Sequence, residues 1–140
     1  MAVPYVPASK SAGALLALAV TLFAVGFIYN WESGRQKLAA HAAATTGGDP
    51  SRGEAMFIQY GCGACHSAVH VRKATGMVGP SLDGIAVRAM IAGKLPNSPD
   101  NLEQWIRDPQ AITPGTDMPD LNVGKRDARD IAAFLYTRAG

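Results

Sequence analysis

Polar and apolar residues are distributed along this chain in two regimes. From Ser11 to Trp31, between Lys10 and Glu32, there is no charged residue. Residues 14–28, ALLALAVTLFAVGFI, would be apolar on every side of a helix. At about 1.5 Å per residue the uncharged stretch covers roughly 32 Å, enough to cross the hydrocarbon of a bilayer. Tyr29 and Trp31 stand at its end, where amphipathic rings anchor a span at the interface. A cleaved signal peptide is the rival reading, with about 7–15 apolar residues and a small-x-small site close behind. Here the apolar run is longer and ends in bulky residues, and Ala40-His41-Ala42 follows too late. The pattern predicts an uncleaved transmembrane anchor over 11–31 behind a short tail, 1–10. Gly13, Ala17 and Thr21 align as a small-xxx-small stripe, a spacing that chance also produces in so Ala-rich a segment.

After Glu32 the pattern changes. Residues 32–44 are Ala-rich with scattered charge and extend the helix outward; Thr45-Thr46-Gly47-Gly48 breaks it. This predicts a linker over 32–48. Asp49 with Pro50, or Ser51 with Glu54, caps a helix that runs to Tyr60 and stops at Gly61. Arg88–Ala92 reads as a short helical turn, and Asn101–Ile106 as a helix ending before Pro109. Lys125–Thr137 carries Ala128, Ile131, Ala132 and Leu135 at helical spacing. No run alternates convincingly with period two. The expected fold class is all-α, a domain over 49–140 with long loops, plus one transmembrane helix.

Charge narrows the function classes. Residues 49–140 hold ten Lys/Arg and ten Asp/Glu. No basic stripe with interleaved aromatics is present, which excludes nucleic acid as a partner. About 92 residues is small for a self-sufficient core, so a large apolar cofactor would supply what the side chains lack.

Cys62-Gly63-Ala64-Cys65-His66 names that cofactor. A CxxCH run attaches one c-type haem covalently: two thiols reach two vinyl groups of one porphyrin, and the next residue sets an imidazole under the iron. A redox dithiol would sit at a strand-to-helix step, and structural zinc needs four ligands. The flanks here read as a helix entering a Gly-rich loop, and the chain has no other cysteine. His66 is the expected first axial ligand. For the second, Met118 stands out among Met56, Met77, Met90 and Met118. It lies in Pro114-Gly115-Thr116-Asp117-Met118-Pro119, a stiff non-helical strap that holds a sulfur against iron. Met/His ligation favours Fe(II) and raises the potential.

Residues 49–140 resemble the class I cytochromes c. The matching residues are Gly53-x-x-x-Phe57, Cys62-x-x-Cys65-His66, Gly79-Pro80-x-Leu82, Leu102-x-x-Trp105-Ile106-x-x-Pro109, Pro114-Gly115-Thr116-x-Met118-Pro119 and Ile131-x-x-Phe134-Leu135. Residues 101–135 are most similar to the cytochrome domain fused to subunit II of some haem–copper oxidases, without its copper-binding cupredoxin domain. The resemblance implies that Gly53 and Phe57 meet Ile131 and Phe134 where the terminal helices cross. It implies that the Pro80 carbonyl accepts the second ring N–H of His66, and that Leu82 and Trp105 line the haem. Family members often carry Tyr in place of Trp105; an indole has only a donor.

Six-coordinate iron leaves no position for a substrate, so the expectation is an electron carrier, not an enzyme, with no small-molecule substrate. Its partners would be the membrane, a quinol–cytochrome c oxidoreductase and a haem–copper terminal oxidase, reached as a tethered shuttle or from a fixed subunit. The alternative is a haem-based gas sensor or peroxidase that releases Met118. Lys10 before the span against Arg35 and Lys37 after it weakly favours a cytoplasmic domain. Covalent haem attachment in bacteria takes place outside the inner membrane, and that outweighs so small a count. The expected location is therefore the bacterial inner membrane, single-pass, with the haem domain in the periplasm.

Overall fold

The computed structural model describes residues 10–138, so the expected tail lies almost wholly outside them. Two compact units are present, 1–37 and 38–140. The first consists of most of helix α1 (Lys10–Thr46). Its uncharged stretch is long and apolar enough to cross a membrane, and Leu15, Leu22, Phe23 and Ile28 are all exposed. Thr21 returns its hydroxyl to the Ala17 carbonyl at 2.9 Å, which satisfies a polar side chain within an apolar span.

The segment expected as a linker is helical up to Thr46, and from Leu38 onward it belongs to the second unit. Ala42 is buried there. Helix α2 (Pro50–Gln59) starts as read: Asp49 accepts from the N–H groups of Ser51 and Arg52, and Pro50 occupies the first turn. Its buried face is Gly53 and Phe57.

The middle of the domain departs from expectation at one place. In place of a helical turn over Arg88–Ala92 there is a 3₁₀ turn at Ile85–Val87, then a two-residue strand, β1 (Met90–Ile91). It pairs antiparallel with β2 (Leu95–Pro96), Ile91 opposite Leu95. Ala92 and Gly93 both have positive φ, 50° and 66°, the conformation of a tight hairpin turn that follows strand twist. Asn97 holds the hairpin down by donating to the Ile85 and Arg88 carbonyls at 2.7 and 2.8 Å. So small a hairpin leaves the domain all-α.

Helix α3 (Pro99–Arg107) begins two residues earlier than read, with Ser98 as its cap and Pro99 in its first turn. Pro109, expected to lie beyond a helix end, opens the short α4 (Pro109–Ile112), which Asp108 caps. Helix α5 (Lys125–Tyr136) closes the fold. Its inner face, from Ala128 to Leu135, is buried against α2 and α3. The core gathers Phe57, Ile85, Ile91, Leu102, Ile106 and Ile131, among others.

Two contacts explain why α2 and α5 can cross. Gly53 faces Asp130 so closely that a Cβ would lie 1.9 Å from its carbonyl oxygen. The Phe57 and Phe134 rings then meet at 5.6 Å between centroids, tilted by 56°. Charge fastens the rim. Arg52 reaches Asp127 and Asp130, each at 2.5 Å, and the Tyr60 hydroxyl donates to Asp127 at 2.8 Å. On the other side of α5, Arg129 donates to buried Glu103 of α3 at 3.1 Å.

Candidate functional site

Immediately after α2 the chain tightens into a 3₁₀ turn, Cys62–Ala64. The N–H groups of Cys65 and His66 both reach the Cys62 carbonyl, at 3.3 and 3.0 Å. One turn therefore carries both thiols and the imidazole, each half-buried. Burial pushes the Cys62 thiol up to about 11.

Residues 67–82 fold back over this turn. Gly76 N–H bonds the Gly63 carbonyl at 3.0 Å, Gly79 N–H the Cys65 carbonyl at 2.8 Å, and Leu82 N–H the Ser67 carbonyl at 2.9 Å. The return brings the Pro80 carbonyl to 2.7 Å from His66 Nδ1. A carbonyl only accepts, so Nδ1 carries the proton and Nε2 keeps its lone pair for a metal. Gly79 makes this possible: a Cβ there would stand 2.4 Å from the imidazole ring.

Asp83 locks the loop. It accepts from the Val69 N–H at 3.0 Å and from Arg138 at 2.8 Å, and Arg138 also donates to the Val69 carbonyl. Burial opposes ionisation of Asp83, but Arg138 and the Val69 N–H outweigh it and hold the carboxyl below its usual range.

Cys62, Leu82 and Trp105 lie half-buried against the hydrophobic core, together with Met56, Tyr60 and Leu95. Partly exposed apolar side chains next to the paired thiols suit contact with an apolar cofactor. Pro80 is exposed apart from its carbonyl contact, and Met118 is half-buried on the strap after α4. The strap turns at Pro114-Gly115, where Gly115 has φ 81° and Thr116 N–H closes on the Thr113 carbonyl at 3.1 Å. The Thr113 hydroxyl is buried without a hydrogen-bond partner among the described residues, the kind of donor a carboxylate-bearing cofactor satisfies. Met77, passed over as a ligand, is 92% exposed. Met90 lies on β1 and points largely to solvent.

Some participants carry no sequence signal. Asp83 and Arg138 are 55 residues apart and belong to no motif. Gln110, whose carboxamide bonds the strap at three points, follows a proline in a four-residue helix and has no periodicity to betray it.

Paired thiols, an imidazole with one free nitrogen and half-buried apolar side chains beside them suit a protein that binds porphyrin covalently. The sequence model of the family Cytochrome c matches residues 50–139. The chain belongs to the cytochrome c family, and it carries one haem c through Cys62 and Cys65. Its relatives include cytochrome c oxidase subunit 2 of Alkalihalophilus pseudofirmus, 34% identical over 86 residues, which are 61% of this chain and 24% of that protein. The subunit 2 of Bacillus sp. strain PS3 is 37% identical over 68 residues, 47% of this chain and 19% of the relative. That of Bacillus subtilis is 26% identical over 89 residues, 62% and 25%. The chain thus spans a quarter or less of the curated relatives it matches. No solved structure matches it.

Proposed function

We propose that this chain is a membrane-anchored c-type cytochrome whose iron is held by His66 and Met118. It passes single electrons from a quinol-oxidising complex to a haem–copper terminal oxidase. Bound haem supplies one-electron chemistry by cycling between ferric and ferrous iron. The observation that carries the reading is the 2.7 Å contact between His66 Nδ1 and the Pro80 carbonyl. It fixes the ring's tautomer, leaves Nε2 free to hold iron and would strengthen it as a donor.

The remaining roles follow from chemistry. Cys62 and Cys65 fasten the ring edge. Leu82 and Trp105 keep water from its faces. The Pro-flanked strap supplies Met118 sulfur, a soft ligand that stabilises the reduced state. His66 and Met118 together would leave iron no position for a substrate, which suits a carrier of single electrons.

The apolar helix and the oxidase-subunit relatives support a single-pass anchor beside a haem–copper oxidase. An anchored domain meets a partner in the same membrane at a raised effective concentration. The need to attach haem outside the inner membrane supports a periplasmic domain.

Met118→Ala in the full-length, haem-loaded chain is the test. It is expected to abolish the weak near-infrared sulfur-to-iron absorption band and to let carbon monoxide change the spectrum of the reduced protein, which the parent chain resists. Survival of the band would assign the ligand to another methionine. A carbon monoxide response of the parent chain would favour a gas-binding or peroxidase role.

A further inference from the structure

The strap that carries Met118 has little backbone structure of its own. Its turn is closed by the bond from Thr116 N–H to the Thr113 carbonyl, and Pro114 and Pro119 have no N–H to contribute. The side chain of Gln110 supplies three further bonds. Its Oε1 accepts from Gly115 N–H at 3.0 Å, and its Nε2 donates to the Thr116 and Met118 carbonyls at 2.8 and 3.0 Å. The amide orientation is fixed by its partners, because an N–H needs an acceptor and two carbonyls need donors. Gln110 is itself held: it is half-buried in α4, behind buried Pro109, and Asp108 caps that helix by accepting from Ala111 N–H at 2.9 Å.

We infer that Gln110 is the positioning residue for the sixth ligand, governing how readily Met118 sulfur leaves the iron. The inference rests on the reading of Met118 as that ligand. A neutral thioether holds ferric iron weakly, so the strap's stiffness, more than the bond, keeps the site closed. Gln110 braces the strap on both sides of Asp117 and reaches the carbonyl of Met118 itself.

Added imidazole measures the opening directly, since it binds ferric iron only when sulfur has left, and its apparent affinity scales with the open fraction. Gln110→Ala removes all three bonds. Gln110→Glu keeps the size and the acceptor but sets a carboxylate against two carbonyls. In the full-length haem-loaded protein both variants are expected to bind imidazole about tenfold more tightly than the parent chain, with a weakened sulfur-to-iron band and unchanged far-UV circular dichroism. Gln104→Ala, at an exposed position of α3, is expected to leave imidazole affinity at the parental value.

Parental affinity and band in both Gln110 variants would overturn the role of Gln110 and leave the Met118 ligand standing. A parent chain that lacks the band would overturn both. If Gln110→Ala fails to fold, Gln110→Glu carries the same decision, because its shape is conserved.

Discussion

A methyl group added at Gly53 would sit 1.9 Å from the carbonyl oxygen of Asp130 and 2.9 Å from Phe134 Cβ. Backbone lies on both sides of that contact, so no side-chain rotation relieves it. Gly53→Ala must push α2 away from α5 and loosen the Phe57–Phe134 pair. Overpacking of a filled core costs about 1–3 kcal/mol, and a backbone contact of this kind belongs at the upper end. Chemical denaturation of the haem-loaded protein is expected to show a lower midpoint with an unchanged slope. An unaltered midpoint would mean that the helices are not in contact at that glycine. Gly53 was legible only through a family pattern, as were Gly79 and Pro80, because a lone glycine carries no periodicity. Cys62 and Cys65 were legible outright, because two thiols at this spacing before a histidine mark the attachment of one haem c. Asp83 and Gln110 were not, since each acts by bonding backbone that only the folded loop brings near.

At the scale of elements, the crossing of α2 and α5 is apolar at its centre and ionic at its rim. Asp127 is held below the usual carboxylate range, first by the Tyr60 hydroxyl and then by Arg52. An unfolded aspartate titrates near about 3.9. The stabilisation from Asp127 is therefore complete above that pH and is lost as pH falls through the lower, folded value. Asp127→Asn is expected to lower the thermal midpoint at neutral pH and to shrink the further drop between about pH 5 and pH 2. Parallel pH profiles for parent and variant would show that the carboxylate contributes nothing.

Caps and spacing announced these two helices: Asp49 with Pro50 at one end of the domain, Ile131 and Leu135 at the other. The hairpin over Met90–Pro96 escaped notice because two-residue strands are too short to show alternation. Ser98 caps α3 and Pro99 is its first residue, although its apolar positions begin only at Leu102.

For the whole molecule, the second unit has one buried apolar cluster with several half-buried side chains packed against it. A bound haem would add a large apolar surface to that core, which a domain this small needs. Replacing both Cys62 and Cys65 by Ala is expected to yield a chain that has lost most far-UV helical signal from the domain. Native helix content without haem would show that protein contacts alone suffice. All-α architecture, the long apolar helix and the cofactor were legible at this scale, because each is written in long apolar periods or in one dense motif. The extent of α1 was legible too: Ala-rich residues 32–44 carry the helix on, and it ends at Thr46 beside the Gly47-Gly48 break.

The ion pair between Arg52 and Asp130 spans 78 positions of sequence, and Asp130 lies on the final helix. The thiols, the imidazole and the methionine strap all precede α5, so the helix that covers Phe57 is the last of the described elements to be synthesised.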